Sequence, residues 1–70
     1  LHAEALADLD RAIALKPSSF THFERGRVRL LRRDVSGARD DFDAAIGLSP
    51  RFASAYFGRG LTHHIAGQLQ

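Results

Sequence analysis

The amino-acid sequence predicts an all-α fold made of a repeated two-helix unit, and three observations carry that prediction. First, "EALADLDRAIALKP" at residues 4–17 returns as "GARDDFDAAIGLSP" at residues 37–50. Ala5, Leu9, Ala12, Ile13, Leu15 and Pro17 thus recur as Ala38, Phe42, Ala45, Ile46, Leu48 and Pro50, each shifted by 33, and self-similarity at such a period marks a repeat architecture. Second, a separate series, Phe23, Arg25 and Gly26, recurs as Phe57, Arg59 and Gly60 at an offset of 34, so the unit has two parts. Third, the apolar positions within a copy fall at i, i+4, i+7 and i+8, the spacing of one helix face, and no stretch alternates polar and apolar residues as a strand would.

Four helices follow in order, at about 2–15, 20–32, 35–48 and 53–66. The first ends ahead of Pro17 and the third ahead of Pro50, because proline supplies no N–H and pushes the preceding residue out of helical geometry; Lys16 and Ser49 should mark the stops. Ser18 or Ser19 can cap the second helix and Asp34 the third, since their side-chain oxygens accept from the unpaired N–H groups of a first turn. Gly26 and Gly60 lie inside helices, where glycine costs about 1 kcal/mol against alanine, so close approach of a paired helix is the expected compensation. Ala38 and Ala45 are small enough to let helices approach on either side of Phe42, whose ring would fill the gap. A bulky residue at Gly60 or Ala38 should open the pair.

Seventy residues make one small domain with a thin core, burying only about 60% of its unfolded surface. With 44% apolar and 26% charged residues the chain has globular rather than disordered composition. It has no cysteine, which removes disulfides, thiolate metal sites and a thiol nucleophile and leaves the redox compartment unread. There is no apolar run near the roughly 20 residues a membrane span needs and no basic-then-apolar leader, so a soluble segment is expected, with the cytoplasm the favoured compartment. The first residue is Leu1 rather than methionine, which suggests a piece of a larger protein. A net charge of +2 predicts no nucleic-acid partner by itself.

The motifs "THFERG" and "SAYFGRG", with Gly26 and Gly60, together with Ala38, Phe42, Ala45 and the closing Pro50, make the chain resemble the tetratricopeptide repeat family over essentially all its length. The resemblance implies antiparallel helix-turn-helix units stacked as a superhelix. In that phase residues 2–15 are the second helix of a partial repeat, 20–48 one complete repeat and 53–66 the first helix of a further one. Two features depart from the family's usual form. The joint from Pro17 to Gly26 is one residue shorter than that from Pro50 to Gly60, and His22, Arg25 and Arg29 stand where a large apolar residue is common. Arg25 and Arg59 have candidate partners in Asp8, Asp41 and Asp43, an arrangement read as structural ion pairing.

The resemblance also implies a function: a protein–protein interaction module whose first helices line a concave groove for a peptide or protein segment. The groove positions would be Phe20, Phe23, Arg27, Leu30 and Leu31 on one helix and Ser54, Phe57, Leu61, His64 and Ile65 on the other. The first set spans about 100° of a helical wheel, an apolar and aromatic stripe with one cation, so a partner with apolar anchors and an acidic group is expected. Nothing matches the lysine and asparagine pattern by which some family members clamp a C-terminal carboxylate. The alternative is a structural segment with no separate ligand, whose stripe packs against the rest of a parent protein or another copy. Each end would then expose an apolar helix face, and the tail of one copy could dock on the head of another, as a ring, a filament or a swapped dimer.

Other constellations are weaker. Arg25, Arg27, Arg29, Arg32 and Arg33 crowd one helix, but Arg27 points away from Arg25, Arg29 and Arg32, and Asp40, Asp41 and Asp43 follow to neutralise them; a solvated, ion-paired face is the reading, not a nucleic-acid surface. His63 and His64 project about 100° apart on a helix and cannot chelate one metal as an i, i+4 pair would, so no metal or other cofactor is expected. No nucleophile elbow or phosphate-cradling glycine loop is present, and Asp40 and Asp41 read as surface acids, so no enzymatic activity is expected.

Overall fold

The computed structural model describes residues 1–68. Four helices follow one another: α1 (His2–Leu15), α2 (Ser19–Leu31), α3 (Val35–Leu48) and α4 (Ala53–Gln68). They form a slab 36 × 29 × 14 Å, in which α2 packs most extensively on α3, α3 on α4, and α1 on α2 alone. This is an all-α repeat arrangement, with no strand among the described residues.

Helix boundaries follow local chemistry closely. Lys16 and Ser49 leave helical geometry ahead of the two prolines, at φ −157° and −143°. Ser18, not Ser19, caps α2: its Oγ accepts from the Thr21 N–H at 3.1 Å while Thr21 Oγ1 accepts from the Ser18 N–H at 3.3 Å, a reciprocal capping box. The helix therefore starts a residue earlier than expected. Asp34 caps α3, accepting from the Gly37 N–H at 3.1 Å. The α2–α3 turn is tight because a helix stop and a helix start share two residues. The Arg33 N–H donates to Leu30 O and the Asp34 N–H to Arg29 O, the bond pattern of a Schellman motif, and this puts Arg33 at φ 64°. The longer joint, residues 49–52, accommodates Phe52, whose ring packs against Phe23 at 5.1 Å between centroids, tilted by 50°.

Phe42 organises the core. Its ring is 1% exposed between Ala38 and Ala45, both fully buried, and packs with Leu30, Phe23 and Ile65. Two glycines from different helices meet it. A Cβ on Gly26 of α2 would stand 3.0 Å from Phe42 Cε1, and one on Gly58 of α4 would stand 2.7 Å from the same atom. Here the structure corrects the sequence reading. Gly60, expected to mark a close approach, has no atom within 4 Å of the place a Cβ would occupy, whereas Gly58, two residues earlier and on another face of α4, is the slot. The offset of 34 matches Gly60 to Gly26 correctly, but Gly26 meets the helix that follows its own, and no described helix covers that face of α4.

Gly58→Ala should lower stability despite its better helix propensity, because the ring cannot retreat; Gly60→Ala should raise it by about 0.5–1 kcal/mol. Urea midpoints of the two variants should move in opposite directions. Arg33→Gly should raise the midpoint too, by relieving a left-handed conformation that costs a side-chain-bearing residue about 1 kcal/mol.

Candidate functional site

A concavity of about 440 Å³ opens between α2 and α4 over the Phe42 ring. The α2 wall is Phe23, Arg27 and Leu30; the α4 wall is Ala53, Ser54, Phe57, Gly58 and Leu61. Its floor comes from the core just described, since Gly58 lets the Phe42 ring lie directly against the α4 backbone. Phe57 is 74% exposed at the rim. Arg27 is exposed and pairs on its own helix with Glu24, Nη2 to Oε2 at 3.1 Å. Such a pair is worth a few tenths of a kcal/mol, so an incoming carboxylate can replace Glu24 at little cost.

Of the groove positions read from the sequence, Phe23, Arg27, Leu30, Phe57 and Leu61 meet here, with Ser54. Phe20, Leu31 and His64 do not line the concavity; all three are exposed, at the outer edges of the two stripes. Ile65 turns inward and packs on the core. A 100° stripe is wider than the arc one neighbouring helix can cover, and α4 faces only the Phe23–Leu30 side of α2. Phe42 and Gly58 were not among the expected positions. The signal for Gly58 is a glycine outside the 34-residue correspondence, at a place where α2 carries Glu24.

Behind the concavity lies a charge cluster. Asp41, read from the sequence as a surface acid, is 2% exposed. Its carboxylate accepts from Arg25 Nε at 2.9 Å and Arg25 Nη2 at 2.9 Å, from Arg29 Nη1 at 2.9 Å and from His22 Nδ1 at 3.0 Å. An ionised carboxylate only accepts, so His22 carries its proton on Nδ1 in this contact. Asp41 is buried because it lies three residues after Ala38 and four before Ala45, on the same buried face of α3, which turns it into the α2–α3 seam. Three residues of α2, His22, Arg25 and Arg29, sit one turn apart on the facing side and meet it there. Arg25 also reaches α1, donating from Nη1 to Asp10 at 2.9 Å, so one guanidinium ties three helices; Asp10, not Asp8, is its second partner. Arg59 repeats the contact one unit on, donating from Nη1 to Asp43 at 3.2 Å.

Burial is the largest single influence on the Asp41 carboxyl and pushes its pKa up, but the hydrogen bonds from Arg25 and His22 and the charges of Arg25 and Arg29 together outweigh it, leaving it below the ordinary 3.8. The Asp41 hydrogen bond likewise holds the Arg25 guanidinium above its ordinary value, against the effect of burial. With Arg25 and Arg29 turned inward, the arginine-rich α2 is not a continuous basic stripe. No group of three or more His, Asp or Glu with metal-ligating placement occurs among the described residues, and no helix there is long and apolar enough to cross a membrane.

Comparison with known proteins gives one informative similarity. The chain is 33% identical over 67 residues, 96% of its length, to the human protein named tetratricopeptide repeat protein 13. It spans about 8% of the length of that relative. No family model and no solved structure matches.

The charge cluster makes a pH prediction with a definite sign. The native Asp41 carboxyl binds its proton more weakly than in the unfolded chain, so its stabilising contribution is complete above the ordinary carboxylate range and is lost as pH falls through the lower native value. Asp41→Asn should cost about 3 kcal/mol at neutral pH, because two arginines lose the charge that holds them. The gap between variant and parent in urea titrations should narrow as the pH is taken below about 4.

Proposed function

We propose that this chain, a segment of tetratricopeptide-type helical repeats, works as a protein-interaction module that holds a partner segment in the concavity between α2 and α4. In this reading α2 and α3 form one complete unit, α1 closes the preceding one and α4 opens the next. The observation that carries the proposal is the pairing of a broad apolar hollow with an exposed aromatic at its rim: Phe57 stands beside a cleft floored by Phe42 and walled by Phe23, Leu30 and Leu61. Apolar residues of a partner would enter that cleft and desolvate both surfaces. Arg27 supplies the one cation on the wall and favours an acidic residue beside the apolar anchors.

The helices are already held together by the packing of Phe42 and by the Asp41 cluster behind the groove, so little ordering cost falls on the module when a partner docks. No catalytic arrangement enters this account. The similarity to a tetratricopeptide repeat protein supports an interaction role in general, and the chemistry of the cleft supports the partner class.

A peptide array that varies two apolar anchors and one flanking charge tests the reading. Peptides with an acidic flank should bind more tightly than their lysine counterparts, and the preference should shrink as salt is raised. Ser54→Trp, which fills the cleft from an exposed position, should abolish binding, and Arg27→Glu should reverse the charge preference, both with unchanged helicity by circular dichroism. Binding indifferent to both substitutions would place the peptide elsewhere and defeat the proposal.

A further inference from the structure

Aromatic side chains are concentrated at the concavity between α2 and α4. Three of the chain's five phenylalanines, Phe23, Phe42 and Phe57, line it, and Phe52 lies against the first of them. The rings do not stack flat. Phe23 and Phe42 are 5.9 Å apart between centroids and inclined by 51°, and Phe23 and Phe52 are 5.1 Å apart and inclined by 50°. Those separations fall in the roughly 4.5–7 Å range of favourable aromatic pairs, in which the positive edge of one ring meets the negative face of another. A lining built of such rings offers edges and faces to whatever enters, and only another ring can use them. An aliphatic side chain would gain burial and nothing more.

Arg27 adds a second contact that favours a ring. It is one of two polar side chains in the lining, Ser54 being the other, and its Nη2 donates to Glu24 Oε2 at 3.1 Å. That bond uses an in-plane N–H of the guanidinium and leaves its flat face for stacking. Guanidinium faces stack on aromatic rings, most favourably on an indole. The hollow, about 440 Å³, lies within the roughly 300–1,000 Å³ of clefts that enclose whole small molecules, so an indole fits as well as a phenyl ring. The Ser54 hydroxyl gives an indole N–H an acceptor there.

We propose that the partner segment anchors in this cleft through an aromatic side chain, tryptophan or phenylalanine, next to an acidic residue, and that the lining rings and Arg27 select it over aliphatic anchors of equal size. This occupant presupposes the groove reading and narrows it from apolar anchors in general to rings. Arg27 serves both parts of the partner: its edge takes the carboxylate, and its face takes the ring. The lining that makes the selection comes from the facing sides of α2, α3 and α4, which the fold itself brings together.

Fluorescence anisotropy of the full chain with labelled peptides tests the choice. The peptides differ only in the anchor, which is tryptophan, phenylalanine, cyclohexylalanine or leucine, followed in each case by glutamate. Cyclohexylalanine has the outline of phenylalanine and no less apolar area but lacks the π system, so it separates ring electrostatics from burial. Phenylalanine should bind about two- to tenfold more tightly than cyclohexylalanine, the range one aromatic pair contributes, and tryptophan at least as tightly as phenylalanine. Arg27→Lys keeps the charge and loses the planar face, so it should shrink the preference for rings and keep that for the acidic flank. Phe57→Leu should shrink the ring preference too; both side chains are exposed, so helicity should match the parent chain. Cyclohexylalanine binding as tightly as phenylalanine, or a ring preference undiminished by both substitutions, would overturn the aromatic anchor and leave the groove standing. Absence of binding by every peptide would remove the groove reading itself and the anchor with it. The peptide comparison needs no change to the protein, so it decides the matter even if a variant fails to fold.

Discussion

The Phe42 ring, held between two glycines from different helices, is the contact on which the remaining structure depends. An aromatic ring can approach the backbone of a neighbouring helix only where no side chain intervenes, and Gly26 and Gly58 supply that absence on α2 and α4. Each glycine weakens its own helix by about 1 kcal/mol, and burial of the whole ring offsets that cost. Because the same ring touches both α2 and α4, it fixes the distance between them. The concavity between those helices is the consequence, and its floor is Phe42.

Electrostatics adds direction to this packing. A buried carboxylate without partners would be strongly disfavoured, so Asp41 admits only an arrangement that brings donors to it. Four such donors come from three residues spaced along one face of α2. Sliding α3 along α2 by a turn would leave a charge stranded, whereas an all-apolar seam would tolerate the slip. The cluster thus fixes register where Phe42 fixes distance. Arg25 carries the same constraint to α1 through Asp10, and Arg59 repeats it between α4 and α3 through Asp43.

Repetition leaves the surfaces of the two outer helices unequal to those inside. α3 is covered on two sides and contributes more buried residues than any other helix, while α1 carries the same pattern covered on one side and has none. Identical chemistry is therefore core in one place and surface in another, and Phe57 shows the ambiguity best. It belongs to the rim of the concavity and also to the face that, on α2, lies under a neighbouring helix.

The sequence by itself determined the four helices, the stops at Lys16 and Ser49 and the Asp34 cap, leaving the α2 cap open between Ser18 and Ser19, because these rest on interactions within a few residues: proline geometry at Pro17 and Pro50, side-chain caps, and apolar spacing around one face. It also showed that Phe42 would be central, flanked as it is by Ala38 and Ala45. What only the tertiary structure decided was which side of each helix meets a neighbour. Gly60 and Gly58 differ by two residues, and Asp40 and Asp41 by one, yet each pair splits into one open or exposed member and one buried member. A helix turns about 100° per residue, so neighbours in sequence face different surroundings, and those surroundings are set by where the other helices lie.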